Sequence, residues 1–347
     1  MSPQHARQFS RRRFLREVTL AGTAGLLGLP PTTTVVAEPP PETTRVRVVH
    51  GPAVCEAPSL VAEELLRGEG FTEVQYVMKL GGTPNYKAVA SGEGDFLLSF
   101  AASILPRMDV DDPLLFLAGV HVGCLEVFGT QRIRSIRDLK GKTVAVVELG
   151  SPQYILLASM LAYVGIDPRS EINWVIRPYT EQGRLLAEEQ IDAFLAFPPF
   201  AQELRAKHIG HVLVNTATDR PWSQYFCCMA VGNREFVRKH PSATKRVLRA
   251  ILKATDICAS EPERVARLVV DKAAGRSTPP PPNYDDVLQT MREIPYSQWR
   301  EYDAEDTVRF LALRLHEVGL IKSTPQKLIA QGTDWRFFNE LKKELKG

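Results

Sequence analysis

The chain has 347 residues, 44% of them apolar and 24% charged, with 43 Lys and Arg against 40 Asp and Glu for a formal charge of +3. This is a globular composition, and the length exceeds the ~250 to 300 residues at which one hydrophobic core stops growing, so two lobes are expected. The positive charge belongs to the first 37 residues, where Arg7, Arg11, Arg12, Arg13 and Arg16 face only Glu17; the remaining 38 bases and 39 acids give −1, which excludes the basic footprint needed for nucleic acid or anionic lipid.

In chain order, Ser10 to Arg16 reads S-R-R-R-F-L-R, a mildly apolar run from Val18 to Leu29 is broken by Gly22, Gly25 and Gly28, and Val35-Val36-Ala37 supplies small residues. Residues 1–37 are therefore read as a twin-arginine signal peptide, cleaved after Ala37, that hands the chain to the twin-arginine translocase for export to the periplasm. The apolar run is barely more than half of the ~20 residues a membrane span needs. No cysteine precedes Cys55, so neither an anchor nor a lipid attachment is expected.

After a spacer at 38–44, the pattern predicts a strand at Arg45 to His50, a loop ending at Pro58, a helix from Ser59 to Gly68, and a strand at Thr72 to Met78. A helix starting at Gly81-Gly82-Thr83 and a strand at Asp95 to Phe100 complete a βαβαβ unit of the kind that builds parallel sheets. The order returns with a strand at Thr143 to Val147, a helix at Gln153 to Val164, a strand at Ile172 to Ile176, a helix at Glu181 to Glu188 and a strand at Ala193 to Phe197. The two units end alike, Gly94-Asp95-Phe96-Leu97-Leu98-Ser99-Phe100 against Ile191-Asp192-Ala193-Phe194-Leu195-Ala196-Phe197, an internal echo that points to duplicated architecture.

The expected organisation is thus α/β: lobe 1 over 45–128 and 222–347, lobe 2 over 129–221, and a two-segment hinge crossing near Glu126 to Arg134 and Asp219 to Tyr225. The C-terminal extension is helical, with helices at Pro241 to Ser260, Pro262 to Ala274, Thr307 to Val318 and Asp334 to Lys346, and the Pro279 to Pro282 run reads as a stiff connector.

Gly81-Gly82-Thr83, the run Ala88-Val89-Ala90-Ser91-Gly92-Glu93-Gly94-Asp95, Asp138-Leu139-Lys140-Gly141-Lys142-Thr143-Val144-Ala145, Gly150-Ser151 and Asp192-Ala193 before Phe197-Pro198-Pro199-Phe200 resemble the periplasmic solute-binding proteins of the nitrate/sulfonate/taurine (NitT/TauT) and thiamine-precursor type. The resemblance covers nearly all of the chain after the signal. It implies a periplasmic binding protein fold of type II, a small-molecule ligand held between two closing lobes, and delivery to an inner-membrane ABC permease by a monomer.

In open parallel sheets the crevice lies outside the carboxyl ends of the strands. The candidate ligand-binding residues are therefore Cys55, Glu56, Ala57 and Ser59 after the first strand, and Gly150, Ser151, Gln153 and Tyr154 in the matching second-lobe loop. Ser99, Phe100 and Ala101, with Phe197 and Pro198 in the echo position, are expected as opposing walls. His121 and Cys124 before the first crossing and Tyr225 after the second are expected at the hinge floor. Ser59 and Ser151 also read as helix caps, and His121 as a structural histidine.

The cysteines Cys55, Cys124, Cys227, Cys228 and Cys258 are odd in number and form no C-x-x-C pair, so buried free thiols are expected rather than a disulfide framework. Alternation should turn Cys227 and Cys228 to opposite faces, which argues against a shared metal, and the His208 and His211 pair lacks a third ligand. No arginine falls on the strand-end loops, although Arg107, Arg132 and Arg177 have the reach to fold inward; this favours a neutral or cationic organic solute.

An enzyme is the rival class, because the fold is shared with a thiamine-pyrimidine synthase that uses a lysine-bound cofactor and a cysteine-rich segment. The chain departs from that pattern, with only Cys227 and Cys228 adjacent and Lys79 and Lys87 in no assigned pocket. Hydrolase, zinc-protease and nucleotide motifs do not occur in the sequence. A binding protein with no cofactor, no metal and no catalytic residue is expected, with a ligand sensor using the same cleft as a further alternative.

Overall fold

The computed structural model describes residues 38–51, 53–78, 85–274 and 282–346. The signal read over 1–37, the Gly81-Gly82-Thr83 helix start, Lys79 and Pro279 to Pro281 lie outside the described residues. Everything from Pro40 onward belongs to one compact unit.

Ten strands are described: β1 (Arg45–His50), β2 (Glu73–Met78), β3 (Phe96–Phe100), β4 (Leu114–Val122), β5 (Glu126–Gly129), β6 (Thr143–Val146), β7 (Asn173–Ile176), β8 (Ala193–Ala196), β9 (His211–Asn215) and β10 (Phe226–Asn233). They form two five-stranded sheets, ordered β2-β1-β3-β10-β4 and β7-β6-β8-β5-β9. In the first, β1 pairs in parallel with β2 and β3, with helices Ala57–Gly68 and Asn85–Ala90 in the connections. In the second, β6 pairs in parallel with β7 and β8 around helices Pro152–Tyr163 and Tyr179–Ala187.

The internal echo extends to individual hydrogen bonds. Asp95 accepts from the backbone N–H of Arg47 at 2.7 Å and donates its own N–H to the Arg47 carbonyl. Asp192 does the same with Thr143, accepting at 2.9 Å. Each aspartate fastens the start of one strand to the start of its parallel neighbour. The difference lies in the side-chain partner: buried Asp95 also takes the Arg47 guanidinium at 2.6 Å, whereas Asp192 has the exposed Arg132 at 3.6 Å.

Neither sheet is wholly parallel, which corrects the expectation from the βαβ repeats. β10 runs antiparallel to β3 and β4, and β5 antiparallel to β8 and β9. These are the two strands that enter their sheets directly from the other half. A chain arriving on the side where the parallel strands end has to run back against them. The expected first crossing over Glu126 to Arg134 is therefore displaced: Glu126–Gly129 is β5, and the crossing is Gly123 to Leu125.

β4 stands at a sheet edge, yet all nine of its residues are buried. Its Leu114-Leu115-Phe116-Leu117-Ala118 run is a continuous apolar stretch of the kind covered on both faces. The 3-10 turn Tyr296–Arg300 and the helices Pro241–Ser260, Pro325–Gly332 and Arg336–Glu344 pack against it, and a bridge joins Phe116 to Thr333. Helix Ala304–Glu317 touches both Ala101–Asp109 and Pro152–Tyr163, so the C-terminal helices cap an exposed edge and tie the halves together. No helix among the described residues is long and apolar enough to cross a membrane.

Candidate functional site

The chain ends of β1, β3, β6 and β8 open on one cavity of about 700 Å³, within the size range of small-molecule sites. From the first half it is lined by Ala53, Cys55 and Glu56 after β1, Asn85 and Tyr86, then Ser99, Phe100, Ser103, Pro106 and Arg107, with Cys227 and Cys228 of β10. The second half supplies Glu148 to Pro152, Tyr154, Ile155 and Phe197. Cys124 and Leu125 of the crossing and Leu320 from the C-terminal region complete the wall.

The two crossing segments clasp one another beside this cavity. Thr216 Oγ1 accepts from the N–H groups of Cys124 at 3.1 Å and Leu125 at 2.9 Å, and the Thr216 N–H donates to the Leu125 carbonyl. Gly123 has a φ of 38°, and a Cβ there would lie 2.2 Å from the Ala217 Cα and the Thr216 carbonyl oxygen. Only glycine lets the two backbones approach so closely.

Nine of the expected residues line the cavity: Cys55, Glu56, Ser99, Phe100, Cys124, Gly150, Ser151, Tyr154 and Phe197. The others are placed elsewhere. Ala57 and Ser59 are buried within the helix that starts at Ala57; Ser59 Oγ donates to the Glu56 carbonyl at 2.8 Å and lies 2.8 Å from His50 Nδ1. Ala101 is buried at its helix start. Gln153 is consumed holding strand ends, taking the Val147 N–H and donating to Gln182 and the Leu195 carbonyl. Pro198 is buried one residue past the Phe197 wall. Tyr225 stacks on Phe310 at 4.0 Å and borders a separate, much smaller void. His121 is fully buried and is not among the lining residues.

The lining residues that the sequence reading missed have several origins. Ser103, Pro106 and Arg107 are spaced so that they share one face of helix Ala101–Asp109; recognising that helix would have found them. Leu320 comes from a distant loop and has no sequence signal. Cys227 and Cys228 both line the cavity, against the alternation argument, because the β10–β4 register shifts between Phe226 and Cys228 and again before Met229. Such a bulge breaks the strict in-and-out order of a strand.

The charges are largely muted. Burial pushes the Glu56 carboxyl up to about 8, reinforced by Cys55 and opposed by the Gly51 N–H it accepts at 3.0 Å. The Arg107 guanidinium is engaged with Asp112 at 2.9 Å and sits 5.0 Å from the Tyr86 ring centre. The exposed Arg132 pairs with Glu189 and Asp192 on the far side of the second half. Cys124 Sγ lies 3.3 Å from Cys227 Sγ. The Cys55 thiol is pulled down to about 5, chiefly by hydrogen bonding from Cys124, against the burial that opposes ionisation. Hydrogen bonding to the neighbouring sulfurs drives the Cys124 thiol the other way, well up.

Fold and cavity together define a two-lobed α/β protein with a cavity of small-molecule size between its halves. Residues 39–270 match the NMT1-like family, and the chain belongs to that family. In sequence it is 24% identical, over 228 residues and 58% of its length, to the nitrate import ATP-binding protein NrtC of Synechocystis, of which the chain spans only 33%. In structure it is similar to the periplasmic nitrate-binding protein NrtA of Synechocystis, with a TM-score of 0.67 at 14% identity over 89% of this chain and 90% of that one. It is also similar to the periplasmic aliphatic sulphonate binding protein SsuA of Escherichia coli, with a TM-score of 0.64 at 15% identity over 81% and 90%. The chain thus shares the periplasmic binding protein fold.

Proposed function

We propose that this protein is the solute-capturing component of an ABC importer, exported to the periplasm by the twin-arginine route, which closes its two halves on a small organic molecule and presents it to an inner-membrane permease. The observation that carries the reading is the cavity of about 700 Å³ lined from both halves and adjoining the two crossing segments. A ligand touching both walls binds the closed state more tightly than the open one, which is the condition for ligand-driven closure.

The lining favours a neutral or cationic, partly aromatic solute. Phe100 and Tyr86 from one half and Phe197 and Tyr154 from the other line it with aromatic rings, and Ser99, Ser103 and Asn85 add a few polar groups. With Glu56 held protonated near neutral pH and Arg107 held by Asp112, the charge left on the wall is acidic, from Glu148 and the lowered Cys55 thiol. Both structures compared above are named for binding, and Lys87 is exposed on its helix and does not line the cavity.

The test is small-angle scattering on the purified protein across a panel of small heterocyclic, sulfonated and anionic solutes, with thermal melting in parallel. A solute that raises the melting temperature should also shrink the radius of gyration. A solute that stabilises without compaction, or turnover of any panel member, would overturn the closing-binder reading.

A further inference from the structure

Of the five buried cysteines, two stand with a histidine in a cluster that solute capture does not require. One ligand atom each from Cys55, His121 and Cys124 lie within 4.8 Å of one another, and all three residues are buried. We infer that Cys55, His121 and Cys124 form a Zn²⁺ site in the floor of the cavity, with a fourth coordination position facing the cavity beside Cys227.

His121 carries the argument. Its Nδ1 lies 3.1 Å from the Val122 carbonyl oxygen, which can only accept, so Nδ1 holds the proton and Nε2 presents its lone pair. That Nε2 is buried and has no hydrogen-bond partner among the described residues. A buried acceptor left unmatched calls for an explanation, and a metal ion supplies one. The arrangement is also how ligating histidines are held, with the other ring N–H donated to a backbone carbonyl.

The surroundings fix the remaining donors. Tyr296, fully buried, donates its hydroxyl to the Cys55 carbonyl at 3.0 Å and meets the His121 ring edge-on at 5.1 Å. Cys55 and Cys124 both border the cavity, so an ion has a path in. Two thiolates and one imidazole with a fourth place open is a known Zn²⁺ donor set, at Zn–S of about 2.3 Å and Zn–N of about 2.0 Å. A disulfide between Cys124 and Cys227, whose sulfurs are 3.3 Å apart, is the rival use of these thiols. It would leave both Cys55 and the His121 lone pair unaccounted for.

The inference is independent of what solute the cavity takes, because its test uses metal ions alone. Chelator-stripped, reduced protein is titrated with Zn²⁺, and with Co²⁺ as a spectroscopic substitute. Expected are about one equivalent bound per chain and a thiolate-to-cobalt charge-transfer band in the near ultraviolet, as the donor set requires. Cys55→Ser and Cys124→Ala should abolish the band. His121→Ala should weaken Zn²⁺ binding beyond the ~10- to 100-fold that loss of an outer-shell partner costs, and Tyr296→Phe, which keeps the ring against His121, should weaken it by less than that. Cys258→Ser, whose thiol is buried in helix Pro241–Ser260, is the control for folding and non-specific thiol binding and should change nothing. Absence of Zn²⁺ binding to the reduced protein, or binding that survives both Cys55→Ser and Cys124→Ala, would overturn the site. So would a Cys124–Cys227 disulfide whose reduction confers no metal binding.

Discussion

The loops that follow β1 and β6 occupy equivalent places in the two halves and are built differently. After β6, Gly150 takes the left-handed turn at φ 87° and Ser151 caps the next helix by accepting the Tyr154 N–H at 3.3 Å. After β1, the chain passes through the 3-10 turn Val54–Glu56 into a helix whose start has no side-chain cap. Its polar groups, Cys55 and Glu56, are turned instead into the cavity wall. The second loop spends its serine on satisfying a helix end; the first puts a thiol and a carboxyl on the cavity wall, the carboxyl tied to the Gly51 N–H. The same scaffold occurs twice, and Cys55 and Glu56 fall in one copy of this loop.

The sharpest way to break the comparison is at the paired aspartates. Asp95→Ala strands a partly buried Arg47 and removes a strand-to-strand clamp, for an expected loss of about 3 to 5 kcal/mol in denaturant unfolding. Asp192→Ala, with its exposed partner, should cost about 1 kcal/mol. Equal losses would mean that the halves are held by the same forces and that the asymmetry is superficial.

Next comes the clasp between the crossings. Gly123→Ala sets a side chain against backbone that cannot yield, at a left-handed φ, and should cost about 1 to 3 kcal/mol while reducing ligand-dependent compaction in scattering. A smaller effect is read through pH at two buried carboxyls, one in the first loop and one in β5. Glu56, at about 8, and Glu126, raised by burial to about 7, both start from 4.5. The folded state therefore holds these protons more tightly than the unfolded chain. Their contribution to stability should fall as pH rises from about 5 to about 8, against an opposite contribution from the Cys55 thiol, and Glu56→Gln or Glu126→Gln should shift the pH slope of melts taken across the range towards greater stability at high pH. The second loop contains no such buried carboxyl, so Ser151→Ala should lower stability by about 1 kcal/mol equally at both ends of the range.

Much of the fold was legible because period-2 and period-3.6 patterns repeat in one order twice: β1 matches its expected span, and so do helices Pro241–Ser260 and Pro262–Ala274. β4 and β5 escaped notice for a physical reason. A strand buried on both faces shows no alternation, and β5 occupies the very segment read as a crossing. The antiparallel direction of β5 and β10 is set by where the chain re-enters a sheet, which no local pattern encodes. For the cavity, strand-end loops were a sound guide to Cys55, Glu56, Ser151 and Phe197. They misled at Ser59 and Gln153, whose polar atoms find internal partners, and the bulge that turns both Cys227 and Cys228 to the cavity depends on pairing with β4.

The central claim is that a small molecule sits between the halves, and native mass spectrometry of protein recovered from its own compartment tests it most directly. The expected result is an added organic mass that is released on unfolding and is lost from a Phe100→Ala, Phe197→Ala variant that still melts cooperatively. Recovery of the bare chain alone, with no solute in a broad panel restoring an adduct or shifting the melt, would contradict it.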